Sequence, residues 1–285
     1  LLTDGYSVSS SYTSLTMGSL GTVSFGADTG GANYKYDEEV PQAYEQMSDA
    51  QQTTANRIGT THDSNMIVYN SPSFDLGGLS ASFDLEYSPN AGSSSAPAND
   101  GGSAAANDKF GSGKGLGVTL AYDALKVGVY AAELETNQPG TQPEDGFEGT
   151  WYASYSFGPV SIGYTESYMD SGANGTAEAA TAAKDAATKN TRTANGFFEG
   201  EQMSIAFNVN ENFSVSYTES EETYDAQDNA PTAVADVTQK VEGIQAAYSM
   251  GAMSIKAYRL DIENPAFDED ASDRTATEIA LGLAF

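Results

Sequence analysis

This chain of 285 residues has no cysteine, a single histidine and a single tryptophan. The absence of thiols removes disulfides, thiolate metal sites and cysteine nucleophiles together. The lone His62 has no second histidine or cysteine with which to share a metal, and nothing places it in a nucleophilic triad, so the sequence is not read as an enzyme. Basic residues are scarce too: 12 Lys and Arg stand against 40 Asp and Glu, a formal net charge of −28. Binding to nucleic acid requires clustered cations, so nucleic acid is excluded as a partner, and a polybasic anchor to an anionic membrane surface is excluded with it. No run approaches the roughly 20 apolar residues of a membrane-spanning helix. Such a chain crosses a bilayer only as a closed barrel, since only helices and edge-free barrels satisfy every backbone polar group in hydrocarbon. The first five residues, Leu1 to Gly5, show neither the basic nor the apolar region of a secretion signal.

What the chain does contain is one arrangement repeated: alternating residues, a tight turn, more alternating residues, then a long polar loop. In residues 149–169, Trp151, Ala153, Tyr155 and Phe157 alternate with Tyr152, Ser154 and Ser156; Gly158-Pro159 turns the chain, and Val160, Ile162 and Tyr164 continue the apolar face. The unit recurs at 116–134 around Asp123-Ala124, at 202–219 around Asn210-Glu211, and at 244–260 around Met250-Gly251-Ala252. The opposite faces are small and polar, as in Ser80, Ser82, Asp84 and Glu86, or Ser214, Ser216 and Thr218. Between the hairpins, residues 90–115, 136–148, 170–200, 225–240 and 263–274 read as loops, with a short Ala-rich helical candidate at 176–189. Long loops and short turns therefore segregate to opposite ends.

Alternation suits a soluble sandwich with an apolar core and a membrane barrel with an apolar exterior equally well. Three features favour the barrel: aromatics at strand ends, segregated turn lengths, and small residues on the polar face. The fold class expected is an all-β transmembrane antiparallel barrel in a single domain, residues 1–285. Residues 28–63, between strand-like segments at 22–27 and 65–74, lack alternation and carry Asp28, Asp37, Glu38, Glu39, Glu45, Asp49 and Asp63 against Lys35, Arg57 and His62. An unpatterned insertion of this length in a compact chain is usually functional or disordered.

Three stretches resemble the general porins of Gram-negative bacterial outer membranes. Residues 65–74, Asn-Met-Ile-Val-Tyr-Asn-Ser-Pro-Ser-Phe, followed by Gly78-Leu79-Ser80 and Tyr87, look like the strand that follows the family's pore-constricting loop. Residues 18–26, Gly-Ser-Leu-Gly-Thr-Val-Ser-Phe-Gly, are similar to the turn and strand that lead into it. Residues 278–285, with Ile279, Leu281, Leu283 and Phe285 on one face, resemble the family's C-terminal assembly signal. The resemblance implies a 16-stranded antiparallel barrel, usually a homotrimer, embedded in outer-membrane lipid and lipopolysaccharide, passing small hydrophilic solutes, with residues 28–63 folded inward as the constriction loop. Val68 and Ala27 stand where the family often has basic residues. Roughly 13 strands are recognisable, and single-chain bacterial barrels have even numbers, so about three early strands are expected to lie outside this chain or to have diverged beyond recognition.

Asp37, Glu38, Glu39, Glu45 and Asp49 are the candidate pore acids, because fixed negative charge in a narrow passage concentrates cations. On composition alone a solvated surface loop accounts for them as well. Lys126 and Lys256 fall on the lumen side of the alternation and Arg259 on the other; the two lysines are candidate wall cations or charges at the turn-side mouth. Asp268, Asp270 and Asp273 form an acid cluster for which Ca²⁺ is the one ion suggested, and no other cofactor is implied. Residues 111–115 lack the glycine spacing and hydroxyl of a phosphate loop. The reading is a passive, cation-preferring diffusion channel. The alternative from another class is a surface-displayed acidic β-rich adhesion or matrix protein that binds Ca²⁺.

Overall fold

A computed structural model describes residues 11–27, 32–47, 58, 66–89, 110–136, 145–170, 196–226 and 236–284. Among these there are fourteen strands in one antiparallel sheet, against the sixteen implied by the resemblance. They are β1 (Ser11–Thr16), β2 (Thr22–Ala27), β3 (Met66–Asn70), β4 (Phe74–Asp75), β5 (Leu79–Ser88), β6 (Phe110–Tyr122) and β7 (Leu125–Thr136) in the first half. β8 (Gly146–Phe157), β9 (Val160–Asp170), β10 (Gly196–Asn210), β11 (Phe213–Ala226), β12 (Val237–Met250), β13 (Met253–Glu263) and β14 (Arg274–Leu283) complete it. Each strand pairs with the next along the chain, except that the two-residue β4 pairs only with the start of β5. The sheet is open: β1 and β14 end the path and do not pair with each other among the described residues.

The turns at Asp123-Ala124, Gly158-Pro159 and Gly251-Ala252 join their strands directly, with Asp123, Gly158 and Gly251 in the left-handed region that two-residue hairpins require. At the other end the strands run further than alternation of apolar residues suggests. β6 begins at Phe110, β10 at Gly196 and β12 at Val237, inside segments expected to be loops, and β11 continues to Ala226. The reason lies in the outward positions there, which are polar or charged: Lys114 on β6, Thr238 and Lys240 on β12, and Glu199 and Glu201 on β10. The last two continue the face of Met203 and Ile205, so the period of two persists while the hydropathy contrast vanishes. The stretch 176–189, Asp28, Asp49, Arg57, His62, Asp63 and Phe285 lie outside the described residues.

The two faces of the sheet differ in sense from those of a soluble protein. Met203, Ile205 and Phe207 are 58%, 49% and 40% exposed, and Ile279 on β14 is 75% exposed. Their neighbours on the opposite face, Gln202, Ser204, Ser216, Thr218 and Gln245, are buried. Large apolar side chains thus point out and polar ones point in, as in a barrel whose exterior meets lipid. The inner face is not uniformly polar. Towards the loop end it carries Tyr130, Tyr152, Met169, Phe198, Tyr224, Val241, Leu260 and Ile262, all buried.

Candidate functional site

Residues 32–47 lie across the inner face, anchored at one strand after another. At the start, the Ala32 amide donates to Glu86 Oε2 at 2.7 Å, Lys35 Nζ reaches Asp84 Oδ1 at 2.5 Å, and the Tyr36 hydroxyl donates to Asp84 Oδ2 at 2.9 Å, all on β5. Tyr36 stacks on Tyr130, with centroids 5.6 Å apart and rings within 22° of parallel. Burial pushes the Tyr36 phenol well above its ordinary range, which keeps the proton it gives to Asp84. Midway, the Ser204 hydroxyl on β10 donates to the Pro41 carbonyl at 2.5 Å, and the Ala43 amide donates to Ser216 Oγ on β11 at 2.9 Å. At the far end Gln245 on β12 accepts the Tyr44 amide at 2.8 Å and donates to the Glu45 carbonyl at 2.7 Å. The Tyr44 hydroxyl donates to Glu278 on β14 at 2.6 Å, and that bond is the main reason its phenol titrates above the usual range. Met47 is fully buried among Val241, Tyr258, Leu260 and Ile262.

Three glycines on the wall make room for this path. A Cβ at Gly117 on β6 would overlap the Tyr36 ring, one at Gly163 on β9 would overlap Pro41, and one at Gly243 on β12 would lie 2.7 Å from Met47 Sδ. Glycine inside a strand often marks such a close approach by another segment. Gly117, Gly163 and Gly243 are therefore the sequence signal for the track of the loop.

The candidate residues divide by what they touch. Glu39 Oε2 pairs with Lys126 Nζ at 2.7 Å, so the expected acid and the expected wall cation are in direct contact across the lumen face. Lys256 sits with Nζ 5.2 Å from the Tyr44 ring centroid, also against the loop. Arg259 faces outward beside Asp261, at 3.2 Å. Asp37 and Glu45 are half-buried on the loop. Glu38 departs from the expectation of a lumen charge. It is 3% exposed and its Oε2 accepts the Met47 amide at 2.9 Å and Gln202 Nε2 at 3.1 Å. With φ at 45°, its backbone turns the side chain back under the loop, so Glu38 ties the segment 38–47 to β10 instead of facing solute. Asp49 lies outside the described residues.

Arg274 lies at the end of the segment expected to be a loop, yet it opens β14 opposite the buried Ile262 and therefore shares the inner face. Asp268, Asp270 and Asp273 do not converge: the Asp268 carboxylate accepts the Asp270 amide at 3.0 Å in a local turn, and no group of three or more acids or histidines among the described residues is placed to hold a metal. Beside them, Phe267 inserts into the wall with Phe198, Tyr224, Met169 and Val237.

An open-ended antiparallel sheet, apolar outside, polar inside and crossed internally by the segment after its second strand, is a specific architecture. The fold is that of the outer-membrane porins. The anion-selective porin from Comamonas acidovorans is similar over 97% of this chain and 77% of its own, with TM-score 0.60 and 15% identity. Salmonella typhi OmpF, in complex with daunomycin, is similar over 95% and 77%, with TM-score 0.62 and 13% identity. The outer-membrane channel DcaP of Acinetobacter baumannii is similar over 91% and 70%, with TM-score 0.56 and 11% identity. No family model and no curated protein matches the sequence. At such identities the likeness shows the fold alone.

Proposed function

We propose that the chain is an outer-membrane channel through which small hydrophilic solutes diffuse passively, with residues 28–63 as its constriction and cations preferred over anions. The observation that carries this reading is the segment 32–47 laid across the polar inner face of a sheet whose apolar face points outward. Nothing in that geometry calls for chemistry on the solute. Residues that narrow a passage and fix its charge are sufficient for a filter.

The charge on the inner surface supports cation preference. Lys35 and Lys126 are each bound to a carboxylate, and Lys256 and Arg274 also lie on the inward side. Asp84, Glu86, Glu148 and Glu222 share that side but are buried; the acids that reach the passage are the half-buried Asp37, Glu39 and Glu45 on the loop and Glu278 on β14. The fold does not set the sign, since a porin named as anion-selective shares it. A homotrimer in outer-membrane lipid and lipopolysaccharide is the assembly proposed. Single-channel recording in a planar bilayer under a salt gradient tests both parts. Discrete conductance steps with a reversal potential of cation-selective sign are expected. Anion selectivity would overturn the preference, and absence of conductance would overturn the channel.

A further inference from the structure

At its far end the segment 32–47 meets two opposite charges of the wall that do not pair with each other. Lys256 on β13 and Glu278 on β14 both point inward: Glu278 stands opposite the buried Tyr258, and Lys256 stands opposite Ala280, two residues away along the same face. Diagonal neighbours on adjacent strands lie within reach of long side chains, so the sheet itself does not keep this lysine and glutamate apart. Yet among the described residues neither takes part in an ion pair, whereas Lys35 and Lys126 each hold a carboxylate.

Tyr44 touches both. Its hydroxyl donates to Glu278 Oε1 at 2.6 Å, and the Lys256 ammonium lies 5.2 Å from the centroid of its ring. The ring also packs on Tyr258, centroids 6.0 Å apart, and Glu45, next along the loop, bears on the same hydroxyl. Each wall charge thus has a partner of its own: a ring face attracts the ammonium, and a hydroxyl proton satisfies the carboxylate. The loop backbone holds Tyr44 there independently of its side chain. The Tyr44 and Glu45 amides donate to Gln245 Oε1 at 2.8 and 3.2 Å, and Met47 beyond them is fully buried. Lys256 is exposed, while Tyr44 and Glu278 are half-buried.

We propose that Tyr44 is a positioning residue: its side chain keeps Lys256 from pairing with Glu278, and so leaves Lys256 as a fixed cation that ions in the passage meet. The proposal rests on the reading of residues 32–47 as part of the constriction of a channel. Without the Tyr44 side chain both charges lose their partners, and the diagonal spacing lets them close on each other. Lys256 then resembles Lys35 and Lys126, a lysine held by a carboxylate.

Acetylation of the full chain in detergent by an N-hydroxysuccinimide ester, followed residue by residue by mass spectrometry with Lys114 as internal reference, tests it. Tyr44→Ala is expected to slow labelling of Lys256 about two- to fivefold, the factor that an exposed ion pair is worth. Tyr44→Ala combined with Glu278→Gln should restore the native rate. Loss of a neighbouring ring alone would uncover the lysine and speed its reaction, so a faster or unchanged rate in Tyr44→Ala would overturn the proposal. Glu278→Gln in the otherwise native chain leaves Tyr44 in place and should keep the rate within about twofold; a larger gain would show that the two charges already pair, and would overturn it too. In planar bilayers Lys256→Gln should raise the ratio of cation to anion permeability roughly twofold, and an unchanged ratio would overturn the role given to Lys256. Conductance of the native preparation separates failure of the channel reading from failure of this one, because the labelling rates are read without it.

Discussion

Lys126 and Glu39 meet at 2.7 Å with their side chains 43% and 31% exposed, so the pair is wet enough to be worth little in stability. Its consequence is electrostatic. By holding Glu39 it cancels one negative charge on the surface past which solutes would move, and it places that cancellation at the loop itself. Lys126→Met keeps the length of the side chain and removes the charge. The ratio of cation to anion permeability is expected to rise roughly twofold through the altered local field, read as a larger reversal potential in the same salt gradient, with stability nearly unchanged. Glu86 illustrates the opposite case. Val68, directly across from it on β3, supplies no cation, and Glu86 instead accepts the Ala32 amide and the Tyr130 hydroxyl. A position where the porin family often carries a base thus becomes, here, a neutral neighbour to a carboxylate that the loop and wall must satisfy.

At the scale of elements, the loop 32–47 is held by shape as much as by hydrogen bonds. Gly163 has Pro41 Cδ and the Val40 backbone against it, with the Val40 Cα 3.1 Å from where a Cβ would stand. Gly163→Val is expected to lift the middle of the loop from β9, costing about 1–3 kcal/mol as overpacking does. Limited proteolysis of the folded protein should then cut within residues 38–45, where the native loop resists, and Pro41→Ala in the same chain should restore part of that resistance. The strands themselves were legible in the sequence: the apolar faces of β6, β7, β10 and β11 follow the alternation residue by residue, and the count along the sheet path agrees with it. Their loop-side extensions were not, because outward carboxylates such as Glu199 and Glu201 erase the contrast on which periodicity depends. The insertion was legible as an acidic segment without strand pattern. Its internal division was not, since nothing in the run Asp37-Glu38-Glu39 distinguishes the buried anchor Glu38 from the paired Glu39; that difference arises from contacts with Gln202 and Lys126, far away in the chain.

For the molecule as a whole, the deciding property is which face of the sheet meets which solvent. A water-soluble protein exposing Leu116, Val118, Leu120, Ile205, Phe207 and Ile279 on one continuous sheet face would carry an apolar patch far larger than soluble monomers tolerate. Lipid removes the difficulty, and it also reverses what a charge does there. Ile205, midway along the outward face of β10 between Met203 and Phe207, is 49% exposed. If that face met water, Ile205→Lys would be neutral or would improve solubility. In a bilayer the same substitution is expected to cost about 2–4 kcal/mol near the midplane. The measurement is the folded fraction after refolding into phospholipid vesicles, read by the shift in gel mobility between unheated and boiled samples. A marked loss for Ile205→Lys is expected, alongside little change for Ser204→Thr, which alters the adjacent inward position. Equal folding of Ile205→Lys and the native chain would show that this face does not meet lipid. The channel reading would fall with it, whatever the similarity of the sheet to porins.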